Sequence, residues 1–112
     1  MKKIAILSCS KVAPRCTFAG CLKVFNTKTK AFEQYGDEDL QLEAIFRCNT
    51  CEKGVDEDFK RKLDKVIEKE VDACHLGHCT ARKELDGAEC PVITEAAAYL
   101  EDHGIKVVRG TH

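Results

Sequence analysis

The chain has few aromatic residues, almost no net charge and no long apolar run. Among its 112 residues it has no tryptophan, five phenylalanines and two tyrosines, so it offers few rings on which nucleic-acid bases could stack. Eighteen basic and nineteen acidic residues leave a formal net charge of −1. This balance provides no basic footprint for nucleic acid or for an anionic membrane. The composition therefore argues against nucleic-acid-binding and membrane-binding classes of protein.

The first residues resemble an export signal only superficially. Lys2 and Lys3 precede an apolar stretch that covers only residues 4–7, whereas a signal sequence needs roughly 7–15 apolar residues. No run approaches the roughly 20 apolar residues of a membrane span. We expect a single domain over residues 1–112 in the cytoplasm, a compartment that disfavours structural disulfides and favours metal-binding or reactive thiols.

Apolar runs and amphipathic segments alternate along the chain. Strands are predicted at residues 3–8, 40–46, 71–76 and 105–109, and helices at residues 17–34, 57–70 and 91–103. Thr17 and Asp56 are the expected N-caps of the first two helices. The order β-α-β-α-β-α-β predicts a parallel sheet with helices on both faces. We expect a flavodoxin-like three-layer α/β/α sandwich with strand order 2-1-3-4.

Residues 40–46 alternate between apolar and polar side chains. This alternation predicts a strand with one wetter face, at the edge of the sheet. The apolar side chains expected to share one face of this strand are Leu40, Leu42, Ala44 and Phe46.

Eight cysteines are the strongest functional signal in the sequence. Several of them follow predicted strands, and parallel strands end at one edge of a sheet, so their thiols are expected to meet there. Thiolates suit tetrahedral zinc, and they suit iron–sulfur clusters equally well. We therefore predict a metal site for zinc, with an iron–sulfur cluster as the alternative. Its expected ligands are Cys9, Cys48, Cys51 and Cys79, with Cys90 and His75 in reserve.

The segment Cys48-Asn49-Thr50-Cys51 is a Cys-x-x-Cys motif. Such a pair either chelates one metal ion or forms a redox dithiol, which usually lies at the N-terminus of a helix. The predicted N-cap Asp56 comes five residues after Cys51, which favours metal binding. A thiol redox enzyme that uses Cys48 and Cys51, or Cys16 and Cys21, remains an alternative.

The segment from Cys74 to Cys79 holds four candidate ligands in six residues, and Gly77 permits a tight turn among them. Neighbouring residues of a strand point to opposite faces. We therefore favour Cys79 as a ligand and Cys74 as a buried thiol of the strand. His75 and His78 are each open between metal ligand, hydrogen-bond partner of a ligand and structural histidine.

A third interpretation rests on Cys9 and Arg15, which form a Cys-x₅-Arg pattern directly after the first strand. In low-molecular-weight phosphatases and arsenate reductases such a pattern supplies a thiolate nucleophile and an arginine that clamps the oxyanion. The intervening residues include no glycine, and Pro14 removes one backbone amide from the loop. This enzyme class is kept as a second alternative.

Taken together, these motifs resemble the CGGC-domain family of small prokaryotic proteins along essentially the whole chain. The name-giving motif differs here, because Asn49-Thr50 stands between the two cysteines where the family has two glycines. The resemblance implies metal binding, often of zinc. A metal sensor or carrier is the role we expect for a metal-binding protein of this kind. It rests on Cys9, Cys16, Cys21, the stretch Phe32-Glu33-Gln34-Tyr35-Gly36, Cys48, Cys51, His75-Leu76-Gly77, Cys79, Cys90-Pro91 and Gly110-Thr111-His112.

Overall fold

The computed structural model describes residues 2–9, 17–49, 52–77 and 89–109. Four strands form one parallel sheet, and in the order along the chain they lie side by side as 2-1-3-4. Helices lie on both faces of it, which confirms the predicted flavodoxin-like architecture and strand order. In chain order the elements are β1 (Lys2–Ser8), α1 (Ala19–Thr27), a 3-10 helix (Lys30–Tyr35), β2 (Leu40–Arg47), α2 (Glu57–Glu68), β3 (Ala73–Leu76), α3 (Pro91–Asp102) and β4 (Lys106–Arg109).

The sheet separates two apolar cores. The larger core packs α2 and α3 against one face, and the smaller core packs α1 and the 3-10 helix against the other. β1 lies between β2 and β3, and it is buried on both faces because one core packs against each face. The larger core is built around Ala5, Leu7, Phe59, Leu63, Leu76, Ile93 and Leu100. The smaller core contains Ile4, Ile6, Cys21, Val24, Phe32 and Ala73.

Local sequence signals explain most of the helix boundaries. The Asp56 carboxylate accepts a hydrogen bond from the Phe59 amide at 2.9 Å and caps α2 as predicted. That backbone contact also lowers the pKa of the Asp56 carboxyl. α3 begins at Pro91 and ends before Gly104, whose φ of 85° only glycine adopts easily. None of the helices within the described residues is long and apolar enough to cross a membrane.

The first predicted helix is divided into two elements. α1 ends at Thr27, Lys28 takes a left-handed conformation, and the 3-10 helix follows. The predicted N-cap is displaced by one residue, because Phe18 occupies the cap position in a left-handed conformation. The Thr17 hydroxyl instead accepts a hydrogen bond from the Ala19 amide at 3.3 Å.

β2 lies at the edge of the sheet as expected, but its apolar side chains do not share one face. Leu42 pairs with Ile4 whereas Ala44 pairs with Ala5, so Glu43 is an extra residue in the ladder. Such a bulge reverses the alternation of side chains beyond it. Accordingly Leu40 and Leu42 pack against the smaller core, while Ala44 and Phe46 pack against the larger one. The prediction of a single apolar face was therefore wrong.

Removing the extra residue tests this register. Deletion of Glu43 should yield a regular ladder that keeps every other β2 side chain on its present face, at a cost below about 1 kcal/mol. Deletion of Ile45 is the matched control, because a regular ladder without Ile45 would place Glu43 opposite Ala5. Burying the Glu43 carboxylate against the larger core should cost about 2 kcal/mol or more. Urea unfolding of both variants measures the difference. Equal destabilisation by the two deletions would show that the register is wrong.

Candidate functional site

Cys9 and Cys48 leave the sheet side by side at its carboxyl edge. The residues that precede them, Ser8 and Arg47, are paired in the β1–β2 ladder. The Cys48 amide then continues the ladder by donating to the Ser8 carbonyl oxygen at 3.3 Å. Neighbouring strands lie about 4.8 Å apart, so the two cysteines start from adjacent points.

Two further segments reach the same edge. At the end of β3, the Gly77 amide donates to the Leu7 carbonyl oxygen at 2.7 Å. At the end of β4, Arg109 Nε forms an ion pair with Glu89 Oε1 at 2.9 Å. Glu89 directly precedes Cys90, the N-cap of α3. The Arg109–Glu89 ion pair therefore holds the start of α3 near the carboxyl end of β4.

The thiols that the structure describes at this edge are buried. Cys9, Cys48 and Cys90 are 3%, 4% and 3% exposed. Cys48 and Cys90 belong to the larger core. Within the described residues, no three His, Cys, Asp or Glu side chains converge as a metal site. The predicted ligands Cys51 and Cys79 lie outside the described residues.

Several other candidates from the sequence also lie outside the described residues. In the sequence, Cys51 comes three residues after Cys48 and Cys79 comes two residues after Gly77. The remaining candidates without a described position are Arg15, Cys16, His78 and His112.

Cys74 is separated from the carboxyl edge by the last two residues of β3. It is fully buried in the larger core. Burial raises the pKa of the Cys74 thiol to about 12 because the thiolate would lose its hydration. The expectation that Cys74 is a buried thiol of the strand is confirmed.

His75 lies on the opposite face of the sheet from Cys74. Its ring stacks on Phe32 with 4.2 Å between centroids, and its Nε2 is 2.6 Å from the Tyr35 hydroxyl. Burial, together with the positive charge of Lys106, lowers the pKa of His75 to about 4. His75 is therefore neutral near pH 7. The sheet lies between it and the core that contains Cys48.

The Tyr35–His75 pair is a feature that sequence reasoning did not find. Tyr35 is 40 residues away from His75 and lies at the end of a 3-10 helix. Burial, and then the negative charge of Asp72, raises the pKa of Tyr35 to about 12. The phenol is therefore protonated near neutral pH, so its O–H is available to the histidine. Neither residue spacing nor hydropathy indicates such a contact.

A comparison with known protein families shows to which family the chain belongs. The family model described as CGGC domain matches residues 3–112. The chain belongs to the CGGC domain family. A relative with 30% identity is an uncharacterized protein of Methanocaldococcus jannaschii, and the alignment covers 98% of this chain and 86% of that protein. No solved structure matches the chain with significance. The match confirms the resemblance to the CGGC-domain family that the sequence motifs predicted.

The buried state of His75 predicts how stability depends on pH. The unfolded chain takes up a proton on His75 near pH 6.5, whereas the folded chain takes it up only near pH 4. Stability from this group is therefore present above pH 6.5 and is lost as the pH falls toward 4. Between pH 7.5 and pH 5 the loss should be about 2 kcal/mol.

Urea unfolding at the two pH values, with His75→Gln for comparison, measures this loss. The variant lacks the imidazole and should show a smaller fall in the free energy of unfolding over the same interval. An equal fall in the wild-type protein and the variant would contradict the assignment.

Proposed function

We propose that this chain is a cytoplasmic metal-binding protein whose site lies at the carboxyl edge of the sheet. Zinc is the proposed metal and an iron–sulfur cluster is the alternative, because the donor set consists of soft sulfur ligands. A metal sensor or carrier is the corresponding role. The proposed ligands are Cys9, Cys48, Cys51 and Cys79, with Cys90 as a further thiol nearby.

The single observation that carries this proposal is the pairing of Ser8 with Arg47, which brings Cys9 and Cys48 to adjacent positions. Two sulfurs bound to one tetrahedral ion at 2.3 Å lie about 3.8 Å apart. Strands about 4.8 Å apart can deliver two side chains at that separation. The backbone arrangement therefore fits two thiolates on one ion.

The remaining ligands of the proposed site come from the segments that follow the second and third strands. Cys51 completes the Cys-x-x-Cys motif with Cys48, and Cys79 comes two residues after Gly77. These two cysteines are needed because the described residues alone bring no three ligands together. His75 is the weakest member of the predicted set, because the sheet lies between it and the core that holds Cys48.

Burial of the thiols supports a cation as their partner. Cys9 and Cys48 are at most 4% exposed, so thiolates formed at these positions would need the positive charge of a bound metal to compensate them. When bound, zinc would supply tetrahedral ligation without redox chemistry, whereas an iron–sulfur cluster would supply one-electron transfer.

The redox alternative is less well supported by the position of the motif. α2 begins at Glu57 with its cap at Asp56, nine and eight residues after Cys48. A redox dithiol usually lies in the first turn of a helix, and Cys48 precedes that turn in the sequence. Asn49 does contact the cap of α2, because its Nδ2 donates to Asp56 Oδ1 at 3.3 Å.

Metal analysis of untagged protein purified without oxygen tests the proposal. The wild-type protein should carry stoichiometric zinc or a brown iron–sulfur chromophore. Cys48→Ala and Cys9→Ala should each weaken metal binding by at least about 100-fold, because each removes a ligand. Cys74→Ala is the matched control, since Cys74 is equally buried but lies within β3.

The outcomes separate the three classes of function. Metal content that is unchanged in both Cys48→Ala and Cys9→Ala would contradict the proposed ligand set. A protein free of metal with a reversible Cys48–Cys51 disulfide would support the redox enzyme instead. A protein free of metal whose Cys9 alone reacts rapidly, with phosphate protecting it, would support the phosphatase class.

A further inference from the structure

Two buried polar side chains near the carboxyl edge have no hydrogen-bond partner. Ser8 is 1% exposed and His75 is fully buried, yet Ser8 Oγ and His75 Nδ1 are both unpaired within the described part of the chain. Buried polar groups in proteins are nearly always hydrogen-bonded. A polar ligand or an ordered water would satisfy these two atoms.

Ser8 and His75 lie on the same face of neighbouring strands. His75 pairs with Ile6 in the parallel ladder, and both border the smaller core. Ser8 is two residues beyond Ile6, so its side chain belongs to that same face. The chain leaves β1 toward α1 on this face and leaves β3 toward α3 on the other. The gap between β1 and β3 is thus the topological switch point, where sheets of this type bind ligands.

Arg47 adds a positive charge beside Ser8. The two residues are paired in the β1–β2 ladder. The Arg47 guanidinium lies 5.1 Å from the centroid of the Phe18 ring, next to α1 on the face of the smaller core. No carboxylate forms an ion pair with Arg47 among the residues that the structure describes. An arginine that contacts an aromatic ring and has no carboxylate partner in the described part of the chain offers N–H groups to a ligand.

Tyr35 determines which nitrogen of His75 carries the proton. A phenol O–H is a stronger donor than a neutral imidazole N–H, and the bare imidazole nitrogen is the stronger acceptor. Tyr35 therefore donates to Nε2 across the 2.6 Å contact. The proton of the neutral ring is then on Nδ1, which makes the unpaired atom a donor.

We propose that Ser8, Arg47 and His75 bind a small tetrahedral oxyanion, such as phosphate, on the smaller-core face of the carboxyl edge. Each of the three side chains offers an N–H or O–H donor, and one of them carries the positive charge that an oxyanion requires. Tyr35 acts as a positioning residue, because it affects oxyanion binding only by fixing the tautomer of His75. The oxyanion site is separate from the proposed metal site and does not depend on metal binding.

Calorimetric titration of the purified full-length protein tests the oxyanion site. Inorganic phosphate should bind with one-to-one stoichiometry, and Ser8→Ala and Arg47→Gln should each weaken the affinity about tenfold or more. Arg61→Gln is the matched control: it removes the same charge from an exposed position on α2 and should leave the affinity unchanged. Titrations with sulfate and with phenyl phosphate distinguish a free oxyanion from an esterified phosphoryl group.

The three titrations distinguish between the possible ligands. Tighter binding of phosphate or sulfate supports a free oxyanion, and tighter binding of phenyl phosphate supports the phosphoryl group of a larger molecule. Absence of saturable binding by all three would overturn the proposal. Equal weakening by Arg47→Gln and Arg61→Gln would also overturn it, because the effect would then be one of net charge.

Nitrogen NMR of the His75 ring tests the part assigned to Tyr35. The wild-type ring should show a protonated Nδ1, and the Nδ1 signal should shift when phosphate is added. Tyr35→Phe removes the donor, so it should release the ring into a mixture of tautomers and weaken phosphate binding. A ring protonated at Nε2 in the wild-type protein would refute the donor role of Nδ1.

Discussion

The common direction of the central strands is the constraint on which the rest of the structure depends. Because β1, β2 and β3 run parallel and in register, Ser8, Arg47 and Leu76 end their strands close together. Residues far apart in sequence therefore emerge at one edge. Both proposed sites use this edge, and neither could form if one of the three strands were reversed.

The bulge at Glu43 decides which side chains face which core. Without the bulge, with Glu43 paired in a regular ladder, the alternation that begins at Leu40 would place Cys48 on the smaller-core face and Arg47 on the larger-core face. With it, Cys48 packs into the larger core and Arg47 reaches the Phe18 ring on the other side. The bulge thus decides which face of the sheet receives the thiol and which receives the guanidinium.

Much of the fold could be predicted from the sequence because it depends on local patterns. The continuous apolar run before Cys9 indicates a strand buried on both faces, and Asp56 and Gly104 mark helix ends through simple chemistry. The bulge could not be predicted, since the pattern of residues 40–46 fits an unbroken strand equally well. The pairing of β2 with β1 decides it, and pairing is a tertiary property.

The candidate thiols could likewise be predicted from their positions after strands. The face of the sheet on which each candidate side chain lies could not be predicted. His75 was grouped with the cysteines because it is close to them in sequence. Its actual neighbours, Phe32 and Tyr35, come from a 3-10 helix on the opposite face. Contacts between elements, rather than spacing along the chain, set the environment of this histidine.

The central claim is that sulfur atoms brought together by parallel strands hold a metal. X-ray absorption at the metal edge of the purified wild-type protein tests it most directly, because it identifies the atoms bound to the metal. The account predicts a first shell of sulfur atoms at about 2.3 Å. A first shell made only of oxygen and nitrogen atoms would contradict it.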